Sequence, residues 1–211
     1  MTLLALDGRW RRMMDPTYAC PCCGQGWGGV FDIGFDAPDV WPHITPREAN
    51  RPDVEISQND SSGDPEHGLK HGPEHGPDRL TADLCRLGPD RFLRALLTLP
   101  IRGSTEQVHI GLWAQVAPDT LYAYIDHATQ GATFASAPGT LATALPFGIA
   151  AQTPCTLTAG ADGQCPQITA LGPSDARART PRSSSLPDLS FDDLLDLYAA
   201  CGQDLRPHLA G

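Results

Sequence analysis

The sequence is short of positive charge: 15 Lys and Arg stand against 25 Asp and Glu, a formal net charge of −10. A nucleic-acid surface needs clustered basic side chains, so that class of partner is excluded. The excess of acid favours solubility and suits a basic protein partner. Long apolar runs are also missing. The longest weakly polar stretch, "LATALPFGIAA", falls far below a membrane span. Nor is there an export signal, because in "MTLLALDGRWRR" a short apolar run precedes the arginines instead of following them. These absences point to a cytoplasmic protein. Its 7 cysteines, an odd number without a leader, read as reduced thiols. A chain of 211 residues with 41% hydrophobic content can bury a core without disulfide staples.

What is present divides the chain into segments. Residues 1–17 read as an N-terminal extension ahead of a single domain over 18–172. After a glycine-rich turn, "GGVFDIGFDAPDVWPHITP" is extended, since Pro38, Pro42 and Pro46 forbid a continuing helix. Residues 57–79 are polar, rich in Gly and Pro, and repeat "PEHG", which predicts a mobile inserted loop. The strongest strand signal is "QVHIGLWAQVA", where Val108, Ile110, Leu112, Ala114 and Val116 alternate with His109, Gly111, Trp113 and Gln115. The segment "RFLRALLTLPI" is taken as its hairpin partner through "IRGSTEQ", and "CTLTAGADGQCPQITAL" as a second hairpin turning at Asp162-Gly163. A short helix is expected near 119–128, a linker over 173–189, and a docked C-terminal helix over 190–202. For that helix Ser190 is a good N-cap, Gly202 suits the C′ position, and Phe191, Leu194, Leu195, Tyr198 and Cys201 form an apolar stripe. The expected fold is α+β: an antiparallel sheet over 80–170, a few helices and an N-terminal cysteine knuckle.

The chemistry concentrates in "YACPCCGQGWGG". Gly24, Gly26 and Gly29 match a dinucleotide fingerprint, but that motif works only between a strand and a helix N-terminus, and neither is expected here. Cys20 and Cys23 form a C-x-x-C, the spacing of a metal knuckle or of a redox pair. A redox pair needs a helix start, which "GQGWGG" cannot supply, so the metal reading is preferred. Two ligands are not a site; partners are sought among Cys22, Cys85, Cys155, Cys165, Cys201 and the histidines. His67, His71 and His75 recur every four residues, yet Gly68, Gly72, Gly76 and Pro73 deny them a shared helix face. His109 and His127 lie on expected ordered elements, and a thiol such as Cys85 beside one of them would make a nucleophile pair; ordinary surface or core histidines are the plainer reading.

The ordered series "CPCCG", "FDAPDVW", "LTADLC", "RFLRALLTLPIRG" with "IGLWAQVA", and "GTLATALP" resembles the bacterial family of domains of unknown function numbered 2199, from about residue 18 to about residue 171. The resemblance implies no established activity. It implies a C-x-x-C-G with a histidine four positions after the second cysteine, and a third cysteine in D-x-C. Those cysteines fall on Cys20, Cys23 and Cys85. The resemblance thus implies a Cys3His structural zinc site, but the histidine position is Trp27, so the fourth ligand is Cys22, another residue such as a histidine of the inserted loop, or nothing. The expected function is a non-catalytic binding module of immunity or adaptor type. The alternative is an enzyme, hydrolytic or thiol-based, using Cys85 or an open metal position.

Overall fold

The computed structural model describes residues 2–42, 53–56, 78–160, 165–172 and 186–210. Nearly all of the expected loop 57–79 and most of the linker 173–189 lie outside the described residues, as do His43, His67, His71 and His75.

A long hairpin organises the structure. Strand β5 (Asp90–Pro100) and β6 (Gln107–Val116) pair antiparallel along their whole length, from Arg91 opposite Val116 to Pro100 opposite Gln107. Both are longer than their neighbours, so each carries two partners on its outer edge. Strand β6 is flanked by β1 (Ile33–Gly34), which runs parallel to it, and by β7 (Ala137–Leu141). Strand β5 is flanked by β4 (Leu84–Leu87) and by β9 (Gln167–Leu171). Strand β8 (Pro154–Thr158) joins β7 to β9, and β3 (Asp78–Thr81) and β2 (Asp53–Ile56) extend the sheet beyond β4.

The order β6-β7-β8-β9-β5, with β5 also paired to β6, closes a ring of five strands. The expectation of an antiparallel sheet is therefore corrected. A closed ring with an odd number of strands cannot alternate direction throughout. One pair must run parallel, and here it is β5 with β9. Closure also removes the unpaired edges that an open sheet exposes.

The alternation read from "QVHIGLWAQVA" decides which residues fill the ring. Leu93, Ala95, Leu97 and Leu99 of β5, with Val108, Ile110, Leu112, Ala114 and Val116 of β6, belong to one buried cluster. The opposite face carries a smaller second core, in which Phe92 and Trp113 meet Trp41, Leu80, Cys85 and Ala142. The Trp113 indole N–H donates to the Phe35 carbonyl at 2.9 Å, tying the irregular segment after β1 to the hairpin.

Helices close the large cluster. Helix α2 (Pro118–Gln130) starts with its proline in the first turn and ends at Gly131, which has φ +70°; its buried residues are Leu121 and Tyr124. Helix α3 (Phe191–Ala200) begins with a capping box. The Ser190 hydroxyl accepts from the Asp193 N–H, and the Asp193 carboxylate accepts from the Ser190 N–H. Phe191, Leu194, Leu195, Leu197 and Tyr198 are buried, so the apolar stripe is core. Tyr198 stacks on Phe31 at 4.2 Å, and its hydroxyl both donates to the Phe31 carbonyl and accepts from the Phe31 N–H.

The segment expected as an extension forms helix α1 (Gly8–Met14), capped by the Asp7 carboxylate. Met13 is fully buried, and Trp10 meets Phe191 edge-on at 5.3 Å. A last turn, α4 (Arg206–Leu209), packs against α1 with Leu205 and Leu209 buried. Among the described residues, no helix is long and apolar enough to cross a membrane.

Candidate metal centre

The cysteine knuckle is a tight turn held by its own backbone. The Gly24 N–H donates to the Cys20 carbonyl at 2.7 Å, and the Cys20 N–H donates to the Gln25 carbonyl at 2.8 Å. Gly24 has φ +74°, a conformation a side chain disfavours. At Gly26 a Cβ would run into the Tyr18 carbonyl, so that glycine is needed for space. The turn buries Cys20, which is 3% exposed, and leaves Cys22 and Cys23 at the surface.

A fourth donor comes from the far end of the chain. His208 Nδ1 lies 3.5 Å from the Cys20 sulfur, 3.6 Å from that of Cys22 and 3.4 Å from that of Cys23. All four donor atoms fall within 4.8 Å of one another. Three contacts hold the imidazole there. The Tyr18 hydroxyl donates to the His208 carbonyl at 2.9 Å, Arg12 Nη1 donates to the Leu209 carbonyl at 2.7 Å, and the Trp27 ring lies against the imidazole at 5.7 Å. Leu205 and Leu209, on either side of His208, are both buried and anchor the turn that presents it.

Thiols packed this closely do not titrate independently. The Cys20 and Cys22 sulfurs are 3.0 Å apart. The Cys22 thiol donating to Cys20 draws the latter down to about 6, with His208 and the turn's amides helping, whereas Cys22, holding the shared proton, is pushed up to about 11. Cys20 is thus the first of the pair to ionise, and its thiolate is the first charge that a cation entering the cluster would meet.

The donor set fits a zinc-class ion. Thiolates at about 2.3 Å and an imidazole at about 2.0 Å from a tetrahedral ion put sulfur and nitrogen about 3.5 Å apart. The three sulfur–nitrogen distances of 3.4 to 3.6 Å match that spacing.

Of the residues expected at the site, Cys20 and Cys23 are brought together, and Cys22, one of the candidates for the fourth ligand, joins them. Cys85 is placed elsewhere. It is 2% exposed on β4, inside the second core among Trp41, Leu80, Phe92 and Trp113. Burial first, and the Asp78 charge second, push its thiol up to about 12. His109 lies on the hairpin's outer face, where its Nδ1 and the Thr98 hydroxyl are 2.8 Å apart, and His127 Nδ1 is 2.6 Å from the Ala132 carbonyl at the end of α2. Sequence reasoning missed His208. It stands 185 residues from Cys23, in no spacing motif. The one signal was local: "DLRPHLAG" sets two leucines around a histidine, as a short anchored turn would.

A family model described as "Uncharacterized protein conserved in bacteria (DUF2199)" matches residues 19–180. The chain belongs to this family. The three cysteines of the centre lie inside the matched region, whereas α1, α3, α4 and His208 lie outside it. Trp27, in the place where the resemblance implies an imidazole, is the residue against which His208 rests. No curated protein and no solved structure matches the chain.

Proposed function

We propose that Cys20, Cys22, Cys23 and His208 hold one structural zinc ion, and that the protein acts as a non-catalytic binding module built around it. The observation that carries this reading is the convergence of three sulfurs and one ring nitrogen with tetrahedral sulfur–nitrogen spacing. Four protein donors close the coordination shell, and a closed shell is the mark of a structural site, since catalytic zinc keeps a position for water. An ion held by both thiolates would take the place of the proton that Cys22 retains, which would pass to solvent, and would set the two sulfurs farther apart. Two thiolates on one tetrahedral ion stand about 3.8 Å apart, against the 3.0 Å between Cys20 and Cys22.

The enzymatic alternative built on Cys85 has less support. A nucleophilic cysteine needs a lowered pKa and access to a substrate; Cys85 has a raised one and sits in an apolar core. The net charge of −10 favours a basic protein as the bound partner. The test of the site is zinc content. The purified chain is expected to carry about one zinc, and Cys20→Ser, Cys22→Ser, Cys23→Ser and His208→Ala to lower it, each removing one donor. A chain that purifies without zinc, takes none up on addition and melts unchanged in chelator would overturn the reading.

A further inference from the structure

The ion's four donors come from two parts of the molecule, the knuckle near one end of the chain and the short turn near the other. Three belong to the knuckle, inside the region the family model matches; the fourth belongs to the last few residues, beyond it. The ways the two C-terminal helices are held differ sharply. Helix α3 has its own capping box, five buried apolar side chains and a parallel bridge between Ile101 and Leu189 just before it. After α3 the chain turns at Gly202, with φ +81°, and Gly202, Gln203 and Asp204 are exposed. Beyond that hinge α4 has four residues, too few for a helix to persist on its own. Two leucines buried in the main cluster, the hydrogen bonds from Arg12 and Tyr18, long ones from Arg206 to the Leu195 and Asp192 carbonyls of α3, and surface ion pairs of Arg206 with Asp196 and Asp204 hold it down. Exposed ion pairs contribute little.

We infer that the metal is a clasp: His208 docks the C-terminal turn onto the knuckle through the ion, so that loading the metal fastens residues 203–210 and losing it frees them at the Gly202 hinge. The inference rests on the metal-site reading above. Its physical basis is reciprocity. If the docked tail supplies the fourth donor, the tail tightens metal binding, and the metal must tighten tail docking by the same factor. Release would uncover Leu205, Leu209 and the surface of α1 beneath them, while α3 and the barrel stay in place. Trp27 and Tyr18 are positioning residues in this device, one lying against the imidazole and the other holding its backbone.

The test uses the full chain, with zinc as the only added ligand. Amide exchange is followed with zinc bound and after chelation, and zinc content is measured on the same samples. The expected result is that protection over 205–210 falls at least about tenfold on chelation, while protection over 191–200 stays within about twofold. His208→Ala should show the loosened tail even with zinc added, and His208→Cys, which restores a soft donor, should refasten it. A chain that carries about one zinc but keeps its tail equally protected after chelation overturns the clasp and leaves the metal site standing. A chain that binds no zinc overturns the site and the clasp together. Cobalt substitution offers a second readout. If His208→Ala leaves the cobalt spectrum unchanged, the imidazole is not a ligand and the clasp is wrong.

Discussion

Cysteine plays two opposite parts in this molecule, and position alone separates them. In the knuckle, Cys20, Cys22 and Cys23 crowd around one another and His208, mostly at the surface, and one proton is shared between the first two. In the sheet, Cys85 on β4 and Cys155 on β8 are buried, and burial pushes their thiols up to about 12 and about 11. The first group has the crowding and exposure of thiols that could hold a cation. The second behaves as small apolar side chains that happen to contain sulfur. A thiol's chemistry is thus set by what surrounds it, and a D-x-C motif does not by itself make a ligand.

The contrast can be broken most strongly from the core side. Leu112→Ala, deep in the closed ring, should cost about 2 to 5 kcal/mol in denaturant unfolding, and Leu194→Ala on α3 a similar amount. Zinc content per folded chain should stay unchanged in both. Loss of zinc in Leu112→Ala chains that still fold would show that the knuckle is not an independent unit.

Smaller is the effect of Tyr198→Phe. It removes one hydroxyl that satisfies both the N–H and the carbonyl of Phe31, and should cost about 1 to 3 kcal/mol. A silent change would mean that water replaces the hydroxyl without penalty.

The gentlest probe is pH. A thiol raised above its ordinary value of 9.0 keeps its proton when folded and loses it first when unfolded. Below pH 9 both states hold the proton and the shift has no effect. As pH climbs from 9 towards 11 and 12, the unfolded chain is increasingly favoured, so stability should decline. Replacing both Cys85 and Cys155 with alanine should flatten the part of that decline owed to them. Zinc binding should run the other way, strengthening as pH rises, because the ion must displace the proton held by Cys22. Zinc affinity that is flat between pH 6 and pH 8, throughout which Cys22 keeps its proton, would argue against its ligation.

The ring's core was readable because period-two alternation in β6 marks its buried face without reference to the rest of the fold. The capping residues of α3 were readable for the same local reason. Closure was not, because it depends on β9 returning beside β5, a pairing between residues near 96 and near 167 that no local pattern signals. Met13 and Trp10 read as part of an extension because their burial is supplied by α3 and α4, from the opposite end of the chain. The centre split along the same line: Cys20 and Cys23 announced themselves by spacing, whereas His208 has meaning only where the two chain ends meet.

Everything proposed for the centre depends on which side chains carry the metal. Zinc content measured on the wild-type chain, Cys85→Ala and Cys22→Ser tests this directly. Ligation by Cys20, Cys22, Cys23 and His208 predicts about one zinc per chain in the wild type and in Cys85→Ala, and a clear loss in Cys22→Ser. Zinc that survives in Cys22→Ser and disappears in Cys85→Ala would contradict it, and would place the third thiolate on β4 in the second core instead of the knuckle.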